Sequence, residues 1–275
     1  MPSTWLVTGA TSGFGRLVAE RALATGAHVI AVGRRRALLD ALAATAAPGR
    51  VTAVPLDVTA PDAEEVLAAA VRTAGGLDVL VNNAGHGLFG SVEETGAAEA
   101  RALLDTHVLA HLAVLRAALP ALRASGGRIV QMSSLFGQFA PPSAGLYAAA
   151  KGAVELIGEA LAHELAPTGA KVTVVEPGVF ATEFATSLRV VPPGAAYAPT
   201  VGAFLNDFAA RPPESFGSPR DVADAIMAVV AMAEPPLRLA VGHDAVEGIR
   251  ASLRSRLAEL DRWESFSRAP HRAAV

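Results

Sequence analysis

Short runs of Val, Ile and Leu alternate along the chain with longer alanine-rich stretches of helical period, and this alternation leaves few folds open. The strand-like runs are Thr4–Thr8, His28–Val32, Val51–Leu56, Val79–Asn82, Arg128–Met132, Lys171–Val175 and Leu237–Val241. Several are apolar at consecutive positions, which suits strands covered on both faces. Between them the periodicity predicts helices over Gly13–Thr25, Leu38–Ala46, Ala63–Thr73, Ala98–Ala124, Ala144–Ala166 and Arg220–Ala233. The pattern is α/β: a doubly wound parallel sheet of about seven strands flanked by helices, with ligands at the carboxyl ends of the strands.

One domain is expected over residues 1–275. No Pro/Gly/Ser-rich linker or charge block interrupts the first 180 residues, and 52% apolar residues can fill a single core. The net charge of −3 gives no surface suited to nucleic acid or an anionic membrane, so neither partner is expected. With no cysteine, disulfides and thiolate metal sites are excluded, and no metal site is expected. The first apolar run, Trp5-Leu6-Val7, is strand-sized and no leader pattern precedes it, so a cytoplasmic location is expected.

One region breaks the rhythm. From Glu183 to Ser218 the chain carries Pro192-Pro193, Pro199 and Pro212-Pro213 with no clean period. Such a stretch is either a floppy insertion or a substrate-covering segment; its place after a strand end favours the second. Ala245–Arg262 reads as a further amphipathic helix, with a frayed end after Arg268.

The first strand runs into Gly9-Ala10-Thr11-Ser12-Gly13-Phe14-Gly15 and then a helix. In such a turn Gly9 permits the bend, Gly13 lets backbone N–H groups approach a pyrophosphate, and Gly15 lets helix and sheet pack closely. Further on, Tyr147 and Lys151 stand four apart on one helical face, and Ser134 closes the fifth strand. A tyrosine working as acid or base near neutral pH needs its pKa lowered, which a neighbouring ammonium does. Tyr-x-x-x-Lys alone is also an ordinary surface pair.

Taken together, these elements resemble the short-chain dehydrogenase/reductase family in its single-domain, Rossmann-type branch. The matching pieces run in order: Thr8–Gly15, Asp57-Val58, Asn82-Asn83-Ala84-Gly85, Ser133-Ser134, Tyr147 with Lys151, and Pro177-Gly178 with Thr182. By that resemblance Tyr147 exchanges a proton with the substrate oxygen, Ser134 holds that oxygen, and Lys151 binds the nicotinamide ribose and depresses the Tyr147 pKa. Thr11, Ser12 and Phe14 belong to the cofactor turn, Asp57 and Val58 meet the adenine, and Asn83, Ala84 and Gly85 pass beside the adenosine ribose. Pro177, Gly178, Val179 and Thr182 hold the carboxamide end. The family commonly has an asparagine where this chain has His107, which either keeps a proton relay or is a polar helix residue outside it.

The second strand ends Val32-Gly33-Arg34-Arg35-Arg36. An acid at this point bonds a ribose 2′-OH, whereas an arginine accommodates a 2′-phosphate. Gly33 stands where the acid would be, and Arg34 with Arg35 follows, so the expected cofactor is NADP(H); arginines merely solvating a helix start are the alternative. Residues expected near the nicotinamide are mostly apolar (Leu88, Phe136, Phe139, Phe180 and Phe184, with His86 the polar exception), which suits a small hydrophobic ketone or alcohol. The run from Leu77 to Phe184 resembles the branch that includes 17β-hydroxysteroid dehydrogenases. Family members are generally dimers or tetramers, so a homodimer or homotetramer packed through Ala98–Ala124 and Ala144–Ala166 is expected. The rival function is an NADP(H)-binding sensor or scaffold without turnover.

Overall fold

The computed structural model describes residues 3–183 and 188–269. Its strands are β1 (Thr4–Thr8), β2 (His28–Gly33), β3 (Val51–Pro55), β4 (Val79–Asn82), β5 (Leu88–Phe89), β6 (Arg128–Met132), β7 (Lys171–Pro177), β8 (Arg189–Val190) and β9 (Arg238–Val241). Its helices are α1 (Gly13–Ala24), α2 (Arg36–Ala44), α3 (Ala63–Thr73), α4 (Ala97–Leu104), α5 (Ala110–Ser125), α6 (Gly145–Leu165), α7 (Ala203–Ala209), α8 (Pro219–Ala231) and α9 (His243–Arg268).

Seven strands form one parallel sheet in the order β3-β2-β1-β4-β6-β7-β9. Alternate residues of these strands enter two different cores, which is why the runs are apolar throughout. Leu6, Ile30, Leu80 and Ile129 face α3, α5 and α6, meeting Leu67, Val114, Leu122 and Leu161. Val7, Val29, Val81 and Val130 face the other way onto α1, α2 and α8, against Val18, Leu39, Val222 and Ile226. The chain winds outward from β1 in one direction and from β4 in the other, so the crevice between their carboxyl ends is the topological switch point.

Two expectations are corrected. The stretch read as one helix over Ala98–Ala124 is α4 and α5 joined by a π-helical segment at Asp105–Leu109, whose extra residue per turn turns His107 inward. This run is apolar enough by composition to cross a membrane, but here Val114, Ala118 and Leu122 pack into the core. Among the described residues of the proline-rich region, β8 pairs with β5, a π segment spans Ala198–Gly202, and α7 follows. The last helix is longer than Ala245–Arg262, running from His243 to Arg268.

Candidate active site

The glycine turn lies at the switch point. Gly9 and Gly13 have φ of +68° and +53°, left-handed values that favour glycine. A Cβ on Gly15 would lie 2.5 Å from both the Gly9 carbonyl oxygen and Asn83 Nδ2, so side chains are excluded where helix meets strand. Ser12 precedes α1 without a side-chain cap, and the first turn of α1 contains no acid, so its amides and positive dipole end stay available to an anion. These residues fit a dinucleotide pyrophosphate. Thr182 stands over the turn, its Cβ 3.8 Å from where a Gly13 Cβ would be.

Asn83 ties two loops of the site together. Its Nδ2 donates to the Thr8 carbonyl at 2.8 Å, and the Asn83 and Ala84 amides both donate to Thr8 Oγ1, tying the loop after β4 to β1. Phe14, in the glycine turn, and Phe180 meet edge to face at 5.8 Å. Val58 is buried in the core beneath α3.

At the end of β2, a Cβ on Gly33 would lie 2.7 Å from Thr11 Cγ2, so a side chain there would require Thr11 to move. Arg34 projects outward, 78% exposed, 3.7 Å from Asp57. Burial raises the Asp57 pKa, but hydrogen bonds from Thr59 and the Arg34 charge outweigh it and hold the carboxyl below its usual range. Arg35 donates to Thr11 Oγ1 at 3.1 Å and lies 3.7 Å from Glu183.

Ser134, Tyr147 and Lys151 come together where β6 faces the first turns of α6, and all three are buried. Ser134 hydrogen-bonds the Tyr147 phenol and also accepts from the Phe136 amide at 3.2 Å, which fixes the direction of its hydroxyl. Lys151 Nζ lies 5.8 Å from the Tyr147 ring centre and donates to the Met132 carbonyl at 2.7 Å. The expected depression of the tyrosine pKa is not what this geometry gives. Burial pushes the phenol up, opposed only by Ser134, so Tyr147 holds its proton firmly. Burial also pushes Lys151 down to about 7, with Glu155 opposing.

His107 is buried with its ring edge-on to Tyr147 at 5.7 Å. Its Nε2 lies 2.7 Å from the His86 carbonyl, a distance at which the ring N–H donates. One turn on, His111 Nε2 makes the same bond to the Ala84 carbonyl at 3.0 Å. Burial first, and then Lys151, push His107 well below its ordinary value and His111 to about 4, so both are neutral near pH 7. The pair clamps the loop Ala84–His86, which is a positioning role, and a titrating relay at His107 is opposed by its surroundings. Gly85 is required by the same contact, since its Cβ would lie 2.5 Å from His107 Cε1.

Pro177 ends β7, and the next two residues are held by a group that sequence reasoning missed. Asp244 in α9 accepts from the Val179 amide at 2.7 Å, and its carboxylate fills the place of a Cβ on Gly178. Glu155 and Glu176 were also missed, although Glu155 continues the stripe of Tyr147 and Lys151 by one turn. Both are 3% exposed and hydrogen-bonded to each other; Gln138 donates to Glu176 at 2.6 Å, and Arg238 lies 3.1 Å from Glu155. Burial, then the neighbouring Glu155 charge, push Glu176 up to about 7.

The wall beside Tyr147 is apolar. Phe89 meets Tyr147 at 6.1 Å, Phe136 at 6.3 Å, Phe204 at 6.4 Å and Phe208 at 5.9 Å, with Leu88 buried in the same cluster. Phe139 backs Phe136 at 5.6 Å, and Phe184 lies outside the described residues.

A parallel sheet with a glycine turn at its switch point and a buried Ser-Tyr-Lys group beside it defines a dinucleotide-dependent oxidoreductase of the doubly wound class. The family description "short chain dehydrogenase" matches residues 3–191. An oxidoreductase of Botryotinia fuckeliana is 36% identical over 275 residues, covering 98% of this chain and 99% of that one. A solved short-chain dehydrogenase from Streptomyces avermitilis is 42% identical with a TM-score of 0.90, over 97% of this chain and 98% of that one. Another from Burkholderia cenocepacia, solved in complex with NADP, is 29% identical with a TM-score of 0.74, over 95% and 97%. The chain belongs to the short-chain dehydrogenase/reductase family and is an oxidoreductase of that type.

Proposed function

We propose that the chain reduces a hydrophobic ketone to its alcohol, or runs the reverse reaction, with NADP(H). The observation that carries this reading is the buried Tyr147 phenol, bonded to Ser134, beside Lys151 and walled by phenylalanines. When bound, the nicotinamide supplies or accepts the hydride, which is the hard part of the chemistry. The chain's own residues hold the oxygen and the proton. Ser134 Oγ orients the substrate oxygen, and the Tyr147 hydroxyl gives that oxygen the proton it needs to become an alcohol. Lys151, whose pKa burial lowers to about 7, lies beside the phenol and would hold the nicotinamide ribose. Leu88, Phe89 and Phe136 favour an apolar substrate over a sugar phosphate. In this reading residues 1–275 act as one unit in the cytoplasm, and 183–218, with Phe204 and Phe208 on Phe89, cover the substrate.

Arg34 supports NADP(H) over NAD(H): it is exposed at the end of β2, next to a glycine rather than an acid. The test is turnover of the purified protein with NADPH or NADH against a panel of aromatic and medium-chain ketones. NADPH should be preferred by about tenfold or more, and Arg34→Asp should remove that preference. Cofactor binding with no oxidation across the panel would instead favour the sensor reading.

A further inference from the structure

The last helix departs from the burial pattern of the rest of the fold. Its start is anchored: Ala245 is buried, Gly248 packs on Phe139 and Leu135, and Ser252 Oγ donates to the Gln138 carbonyl at 3.3 Å. From Leu253 to Arg268 every residue is exposed, a projecting length of about 24 Å. Leu253, Leu257, Leu260, Trp263 and Phe266 are each between 52% and 63% exposed. The three leucines follow at spacings of four and three and, with Ile249, make one stripe, while Trp263 lies at its edge against Phe266. A helix of this length gains little stability without packing, and a contiguous exposed apolar stripe marks a surface that something covers.

The charges beside the stripe say what that is. Its first half is flanked by Arg250, Arg254 and Arg256, its second by Glu259, Asp261 and Glu264, with Arg262 on the far face. Glu247 pairs with Arg250 and Glu264 with Arg268 within the helix. Among the described residues, Arg254, Arg256, Glu259 and Asp261 beside the stripe, and Arg262 on the far face, have no ion-pair partner in the chain. An antiparallel second copy reverses the order of charge. A single two-fold axis between Leu257 and Ala258 sets Arg254 against the partner's Asp261 and Arg256 against the partner's Glu259, each contact occurring twice. The same axis lays the leucine stripes on one another. A parallel pair would place like charges side by side, and an anionic bilayer would meet the acids at the Trp263 end.

We propose that α9 docks antiparallel on α9 of a second copy of this chain, with Leu253, Leu257 and Leu260 as the seam and the four unpaired charges beside it fixing its direction. The contact is isologous, and its polarity follows from charge, as in coiled-coil pairing. Because the chain has no cysteine, introduced ones report without background. In the full chain, Leu257→Cys should cross-link to its own copy under mild oxidation, and Arg262→Cys should not. Leu253→Cys and Leu260→Cys should cross-link when mixed far more than either alone; efficient cross-linking of Leu253→Cys with itself would mean a parallel pair and overturn the proposal.

The charges give a second test by sedimentation equilibrium. Arg254→Glu with Arg256→Glu, and separately Glu259→Arg with Asp261→Arg, should each weaken self-association by about tenfold or more, and an equimolar mixture of the two should restore it. Melting temperature and NADPH binding in these variants check that the body is intact. Unchanged association in both variants, or no Leu257→Cys cross-link, overturns the proposal. So does wild-type protein that sediments with phosphatidylserine vesicles while remaining monomeric without them.

Discussion

The rim of the sheet and the tip of α9 depart from ordinary burial in opposite directions. At the rim, Tyr147, Lys151, His107, Glu155 and Glu176 are polar and buried; at the tip, Leu253, Leu257 and Leu260 are apolar and exposed. Both arrangements cost stability if nothing compensates them. At the rim the compensation is internal. Neighbours supply hydrogen bonds, and the same burial brings Lys151 and Glu176 to about 7 while it holds the proton on Tyr147 and keeps His107 neutral. At the tip the fold itself supplies none, and the proposed second copy would. On the proposed reading, the buried polar cluster serves the site and the exposed apolar stripe serves a second copy.

The sharpest way to break this comparison is at the rim. Tyr147→Phe removes one oxygen and should lower kcat by about 10²–10⁴-fold while leaving NADPH affinity within a few-fold, as read by steady-state turnover and fluorescence titration. A variant that turned over normally would make the buried phenol a mere packing group. Next in size is the histidine clamp. Gly85→Ala places a Cβ against His107 and should destabilise the fold by about 1–3 kcal/mol in urea unfolding, and by much less in a His107→Ala background. Additive costs in the double variant would show that the two residues do not meet.

The carboxyl pair gives a smaller, pH-dependent effect. Glu176 has its pKa raised from 4.5 to about 7 in the fold, so between those values the folded chain binds more protons than the unfolded one. Its contribution to stability is therefore complete below 4.5 and lost as pH rises through 7. Glu176→Gln should melt a few degrees higher relative to wild type at pH 8 than at pH 5. A difference independent of pH would contradict the shared proton. The smallest expected effect on catalysis is at the tip: Leu257→Glu should leave kcat unchanged while weakening association.

The two regions also differ in how far they could be read from sequence. Runs such as Leu6-Val7 and Val29-Ile30 announce a sheet covered on both faces, because consecutive apolar residues have no other use in a strand this short. Ser134, Tyr147, Lys151 and the glycine turn were singled out by their resemblance, in order, to the family's motifs; by spacing alone Tyr147 and Lys151 read equally as a surface pair. The π segment at Asp105–Leu109 was not legible, since one added residue leaves the apolar pattern unbroken and only the direction of His107 changes. Nor were β5 and β8, two residues each, too short to show a period. Glu155 meets Glu176 and Asp244 meets Val179 from elements far apart in the chain, so no local pattern signals them. The exposure of α9 was hidden for a related reason: an amphipathic helix reads the same whether or not its own fold covers it.

The chain has two tyrosines, Tyr147 and Tyr197, so Tyr197→Phe leaves a single phenol whose ionisation can be followed by ultraviolet difference spectroscopy. If burial keeps the proton on Tyr147, no phenolate band should grow as pH passes its ordinary value of 10.0 while circular dichroism stays native. Growth of that band below pH 10.0 in the folded protein would mean that the phenol is not held as its acid, and the account of the site would be wrong.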